Sequence, residues 1–289
     1  MDIRTRLCFE LSRRLLKPPP ADDYTRDLSA YSGWRETELR KSWQPFSDDL
    51  VKGRDVLDFG CGHGHLAIHL ARKGPRSMTG VDIRAEDLEL ARQNAAAANL
   101  PVQFIMGAVS GIPMIAESVD TIVAFDMVEH IMEPEAIFRE WYRVLRPGGR
   151  VAIEWFPFAG AWGPHMDSLI PIPWAHVIFG ERAMFTAAAA IYDMPTFMPR
   201  LWDIENGKKK PNKWRQWRTF KEQGYVNELD IPTFERMVEG AGFEIGRLVK
   251  RGFSGPTWRQ AIGKALMSLP LVGEYFCVST VIELVKPSK

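Results

Sequence analysis

Apolar residues recur at Ile3, Leu7, Leu11 and Leu15 with arginines between them. A spacing of four predicts an amphipathic helix over residues 2–17. Pro18, Pro19 and Pro20 stop it, because proline lacks an N–H and its ring clashes with the preceding turn. A polar stretch with Tyr24, Tyr31, Trp34 and Trp43 follows to about Lys52. Then the pattern alternates. Short apolar runs at 55–59, 77–83, 102–106, 121–125 and 150–155 predict strands, and residues 65–73, 85–99 and 134–145 predict helices between them. Such alternation means βαβ units and a parallel sheet with helices on both faces.

From 157 to 230 the rhythm breaks into a stretch rich in Pro, Trp, Phe and Met. It is too long for an ordinary connection, so it predicts an insertion with helices of its own. A helix at 231–241 and strands at 243–249 and 275–284 resume the alternation. The expected organisation is an N-terminal helical cap (1–50), a core (51–156), an insertion (157–230) and a closing segment (231–289) that completes the sheet.

Composition narrows the class. The 289 residues are 46% hydrophobic and 25% charged, and a chain of this size buries roughly 75% of its unfolded surface without staples. A net charge of +1 gives no global attraction to nucleic acid or anionic membrane. Cys8, Cys61 and Cys277 form no metal-type or paired spacing. With no long apolar run and with Arg4, Arg6, Arg13 and Arg14 breaking any leader core, the expected setting is cytoplasmic.

The informative segment is VLDFGCGHG at 56–64, a strand running into Gly-x-Gly-x-Gly and then a helix. Glycines there allow positive φ and close approach of backbone N–H groups to a ligand, and a helix N-terminus favours an anionic group. Asp82 ends the next strand, where doubly wound folds place an acid for ribose hydroxyls. A glycine triplet alone is weak evidence, and nicotinamide-dinucleotide domains share its logic.

The company it keeps is more specific. With TGVDI at 79–83, SVDTIVAFDMVEHI at 118–131 and RVLRPGG at 143–149, the sequence resembles class I S-adenosylmethionine (SAM)-dependent methyltransferases over roughly residues 50–156, and more loosely over 228–287. The resemblance implies an α/β, doubly wound, seven-stranded mostly parallel sheet in the order 3-2-1-4-5-7-6. Its last strand is antiparallel, and the helical insertion follows strand 5. It implies SAM as cofactor and S-adenosylhomocysteine as product. Asp58, Gly60, Cys61, Gly62 and Gly64 would hold the methionine end, Asp82 the ribose, and Ile83, Ala108 and Val109 the adenine. Phe125 and Asp126 would face the methionine portion, although Asp126 also suits a helix N-cap. Ala108 departs from the family pattern, which often has an Asp on the adenine amino group; Ser110 or backbone would substitute.

Methyl transfer chiefly needs alignment and exclusion of water, and a hydroxyl acceptor adds a general base. Among six histidines, His165, just after strand 5, is the first candidate and His130, after strand 4, the second. His63, His65, His69 and His176 read as turn, helix or packing residues, and no metal site is expected from His165, His176 and Asp167.

The aromatic insertion suits either a lid over a hydrophobic or aromatic small-molecule acceptor or a subdomain with its own core. The leading expectation is therefore methyl transfer to oxygen or nitrogen of such a molecule. Residues 208–221 mix cations with tryptophans, so an RNA methyltransferase is the second reading. A SAM-binding interaction protein without transfer is the third. The N-terminal helix either caps the domain, with Tyr24, Tyr31 or Trp34 closing the site, or rests on a membrane surface.

Overall fold

The computed structural model describes residues 1–17 and 27–288, so Pro18, Pro19, Pro20 and Tyr24 of the sequence reading lie outside the described residues. In chain order the elements begin α1 (Ile3–Leu15), α2 (Leu28–Trp43), β1 (Asp55–Phe59), α3 (His65–Ala71), β2 (Ser77–Asp82), α4 (Ala85–Ala97) and β3 (Val102–Met106). They continue with β4 (Val119–Phe125), α5 (Pro134–Val144), β5 (Leu145–Trp155), α6 (Ala175–Phe179), α7 (Glu181–Tyr192), β6 (Ile204–Glu205) and β7 (Lys208–Lys209). Last come α8 (Phe220–Gln223), α9 (Ile231–Gly240), β8 (Glu244–Arg251), α10 (Thr257–Met267) and β9 (Ser279–Val285).

The chain divides into two compact units. Met1–Trp34, Phe158–Glu228 and Phe253–Val278 form the first; Arg35–Pro157, Leu229–Gly252 and Ser279–Lys289 form the second.

The second unit holds a seven-stranded sheet in the order β3-β2-β1-β4-β5-β9-β8. With the small β6–β7 hairpin of the first unit left out of the count, this is 3-2-1-4-5-7-6, the order the family resemblance implies. β1 to β5 run parallel, and β9 runs antiparallel to both β5 and β8. β1 and β4 are central and almost wholly buried, which is why their sequences read as near-continuous apolar runs.

Ion pairs tie the amino ends of these strands. Arg146 Nη1 lies 2.9 Å from carboxylate oxygens of both Asp55 and Asp120, and Asp120 also accepts the Asp55 N–H at 2.9 Å. Arg76 joins them and holds the Asp55 carboxyl far below the usual carboxylate range.

α5 starts with Pro134, whose fixed φ suits the first helical turn, and buries Ile137, Phe138, Trp141 and Val144 at helical spacing. Its C-terminal carbonyls are met by buried Lys286, whose Nζ donates to Tyr142 O at 2.9 Å and Leu145 O at 2.8 Å. α9 is capped by Asp230, which accepts the Thr233 N–H at 2.8 Å, and inserts Phe234 between Trp155 and Phe138.

The polar stretch after the prolines holds the long helix α2. Its apolar residues follow no strong helical period, which is why the sequence pattern did not expose it. From Arg35 onward it belongs to the second unit, where Leu39 and Trp43 enter the core beside Phe46 and Phe125.

The first unit has its own core. Cys8 of α1, Phe185, Ala187, Ala188 and Tyr192 of α7, Trp214 and Phe220 form one buried cluster. α1 packs against α7, with Thr5, Cys8 and Ser12 buried and Phe9 and Leu16 half-buried against the same cluster. Trp174 is seated elsewhere in this unit between Phe253 and Phe276, with Nε1 donating to Tyr275 O at 2.7 Å.

Candidate functional site in the second unit

β1 lies between β2 and β4, so the turns leaving these strands meet at one carboxyl edge of the sheet. That edge is where open α/β sheets bind ligands. The turn after β1 is built from three left-handed glycines, Gly60 (φ +74°), Gly62 (φ +48°) and Gly64 (φ +78°). Gly60 and Cys61 donate their N–H groups to Val81 O at 2.8 and 3.0 Å, pinning the turn to β2. A Cβ at Gly60 would stand 2.2 Å from Met127 Sδ, and one at Gly64 2.9 Å from the Phe104 ring. Space above Gly62 is open, with nothing within 4 Å of the position a Cβ would take.

Asp82 ties the turn to its own strand end. Its Oδ2 accepts the Gly62 N–H at 2.9 Å and its Oδ1 the Arg84 N–H at 3.0 Å. A carboxylate has about four acceptor positions, so capacity for a pair of hydroxyls remains. Ile83 and Val109 are exposed, as is Ala108. Met106 is exposed too and stands opposite Asp82 in the β2–β3 register. These apolar side chains at adjacent strand ends offer a wall to a flat ring. Ala108 bridges to Gly111, its N–H donating to Gly111 O at 3.1 Å.

Asp58 is fully buried at the end of β1, and burial pushes its carboxyl up to about 7. The Ala67 N–H opposes that rise, while Oδ2 has no partner among the described residues. Such an oxygen favours a donor or a cation. Burial likewise raises the Glu129 carboxyl well above its ordinary range, with Asp126 adding to the effect. His65, at the start of α3, is pushed down to about 4 by burial and stays neutral.

Asp126 follows β4 with φ +50° and forms an ion pair with Arg35 of α2. Its carboxylate is engaged there and does not cap the following 3-10 turn, Val128–His130, which has no side-chain cap. Phe125 packs into the core against Trp43 and Phe46. His130 ends the turn, half-buried, with its N–H on Met127 O at 2.9 Å. His165 belongs to the first unit, where it is half-buried in a left-handed conformation (φ +54°) and its N–H reaches Trp162 O at 2.9 Å.

Two residues of this edge escaped the sequence reading. Met106 was legible in principle as the last residue of strand 3. Arg35 was not, because 91 residues separate it from Asp126 and it lies in a stretch with no motif.

The arrangement fits SAM. The orphaned oxygen of Asp58 suits an ammonium, the free acceptor positions of Asp82 suit a diol, and the apolar side chains suit adenine. Fold and edge together define a class I methyltransferase fold.

Comparison with known proteins agrees. Residues 57–153 match the family model described as "Methyltransferase domain". The chain is 37% identical over 147 residues to "Methyltransferase GfsG" of Streptomyces halstedii, covering 50% of this chain and 53% of that protein. It is 33% identical over 118 residues to "Ubiquinone biosynthesis O-methyltransferase" of Proteus mirabilis (strain HI4320), covering 40% and 48%. The chain thus spans about half the length of these curated relatives. The crystal structure of the [4+2]-cyclase SpnF is similar in fold, with a TM-score of 0.52 and 17% identity over 88% of this chain and 81% of that one. Residues 57–153 thus match a methyltransferase domain, within a sheet that has the class I methyltransferase fold.

Proposed function

We propose that the chain transfers the methyl group of SAM to an oxygen or nitrogen of a hydrophobic small molecule. The observation that carries the transfer reading is the pairing of the open glycine turn with Asp82 beside an unpartnered Asp58 oxygen. Bound SAM supplies an activated methyl on a sulfonium, which is already a good leaving group. The remaining work belongs to the chain. Gly60, Cys61, Gly62 and Gly64 shape the turn and Asp58 meets the ammonium. Asp82 fixes the ribose, and Ile83, Ala108 and Val109 border adenine. Phe125 and Asp126 line the methionine side. Holding reacting groups in line accounts for a large share of the acceleration in such displacements. His165, or else His130, takes the acceptor proton where the acceptor is a hydroxyl.

The acceptor class leans on the relatives. Several curated proteins similar to this chain carry the name "Ubiquinone biosynthesis O-methyltransferase", so an O-linked, apolar acceptor is the natural extension. The likeness to a cyclase of the same fold warns that this architecture hosts other chemistry.

The basic segment gives RNA less support. Lys213 pairs with Asp203 at 2.8 Å and Arg215 with Asp193 at 2.6 Å. Lys209 Nζ donates to Tyr192 O at 2.6 Å, and Trp214 is buried. These groups are engaged inside their own unit, while Lys208, Arg218 and Lys221 of the same segment are exposed.

Transfer of labelled methyl from SAM into a fractionated cell extract tests the reading, with the Asp82→Ala protein as control. Label in the organic-soluble small-molecule fraction is expected. Label in RNA or protein, or in no fraction, overturns the acceptor assignment.

A further inference from the structure

We propose that α1 docks the chain on an anionic lipid surface. Its row of Ile3, Leu7, Leu11 and Leu15 would enter the acyl boundary while the neighbouring arginines meet phosphate headgroups. These four residues stand 76%, 51%, 42% and 50% exposed. At about 100° per residue the row is centred about 110° away from the buried row of Thr5, Cys8 and Ser12. The helix therefore presents one face to its own unit and a second, aliphatic face outward. Nothing among the described residues covers that outward face. A row of large aliphatic residues left in water marks an interaction surface.

Charge selects the occupant. Residues 1–17 carry Arg4, Arg6, Arg13, Arg14 and Lys17 against Asp2 and Glu10. Asp2 is taken up by the Thr5 N–H as a helix cap, and Glu10 by Arg13 at 2.7 Å. The helix thus holds a local excess of three positive charges on a chain whose net charge is only +1. Arg4 and Arg14 fall along the aliphatic row, where long stems extend outward over apolar surface and leave the charge at a polar boundary. A second copy of the chain would set these arginines against their own kind. A bilayer with anionic headgroups offers negative charge directly above an apolar layer, the combination that interfacial helices of this composition bind. The same unit exposes a second face of this type, with Trp258 and Ile262 outward on α10 beside Arg259.

This inference stands apart from the transfer reading, because it rests on residues outside the methyltransferase-domain match.

The test is co-sedimentation of the full chain with phosphatidylcholine vesicles containing about one-third phosphatidylserine, and with phosphatidylcholine alone. The wild-type protein should sediment with the anionic vesicles, less so in high salt, and weakly with the neutral ones. Leu7→Ser/Leu11→Ser and Arg4→Glu/Arg14→Glu should each weaken partitioning at least about tenfold. All four positions are exposed, so melting temperature and circular dichroism should stay those of the wild type. No sedimentation of the wild type overturns the proposal, as does equal sedimentation of wild type and both variants. A concentration-dependent dimer that Leu7→Ser/Leu11→Ser abolishes, without lipid binding, assigns the row to a second copy and also overturns it. Methyl transfer measured in parallel without vesicles separates this result from the fate of the transfer reading.

Discussion

The Asp82 carboxylate accepts the Gly62 N–H at 2.9 Å, joining the acid that ends β2 to the turn that leaves β1. The acid holds the empty-sided glycine of the turn in place and keeps acceptor positions for a ligand. Backbone geometry and binding chemistry meet in one side chain, and they can be separated experimentally.

Gly62→Ala puts a methyl group into open space at φ +48°. Left-handed backbone costs a non-glycine residue about 1–2 kcal/mol, so a modest drop in stability is expected. SAM affinity by calorimetry should fall at least about tenfold, because the methyl occupies the approach to the turn. Gly74→Ala, at φ +76° and equally open, should show a similar stability loss with unchanged SAM affinity. Equal effects of both variants on affinity would remove Gly62 from the binding surface.

Asp58 gives a pH signature. Its carboxyl rises from an ordinary 3.8 to about 7 on burial. Between those values the folded chain keeps a proton that the unfolded chain has lost, so stability falls as pH rises through that window. Asp58→Asn should flatten that fall in urea titrations from pH 4 to about 7. An ammonium beside Asp58 favours the carboxylate, so SAM should bind the wild-type protein more tightly at pH 8 than at about pH 6. Calorimetry in buffers of different ionisation enthalpy should detect proton release, and Asp58→Asn should abolish it.

For the proton acceptor, His165→Asn is the informative change, since asparagine tolerates the left-handed backbone that His165 adopts. If His165 is the base, turnover with a hydroxyl acceptor should drop about 10²- to 10⁴-fold while SAM affinity holds. Turnover at the wild-type level in His165→Asn, with loss in His130→Ala, would transfer the role to His130.

Lys286→Met removes the cation that meets two carbonyls at the end of α5. Leaving buried carbonyls unsatisfied costs about 1–3 kcal/mol each. A loss of about 2–4 kcal/mol in urea unfolding is expected, with SAM affinity unaffected. Little change would show that water or backbone movement replaces the lysine.

The sheet was readable because its central strands are continuous apolar runs ending in recognisable turns. Asp58, Gly62 and Asp82 carry motif spacing, and Asp82 accepts the Gly62 N–H. Arg35 carries none; it reaches Asp126 only because α2 packs Leu39 and Trp43 against the core. α1 was legible as a helix but not in orientation. The leucine row reads either as a cap contact or as a membrane face, and the structure buries Thr5, Cys8 and Ser12 instead, with Phe9 and Leu16 half-buried against the same cluster. Helical periodicity reports that a face is apolar, while the partner decides which face it takes.

β9 bears on the order of folding. It lies between β5 and β8, though β5 ends at Trp155 and β9 begins only at Ser279. Until residues 279–285 arrive, β5 presents a raw edge of unpaired N–H and C=O groups and β8 has no neighbour in the sheet. Pairings that span so much sequence form slowly, and open edges recruit foreign strands. The nascent chain therefore passes through a sticky, incomplete state, in which a chaperone has most to protect and a destabilised β9 would lead to aggregates before it lowered any melting point.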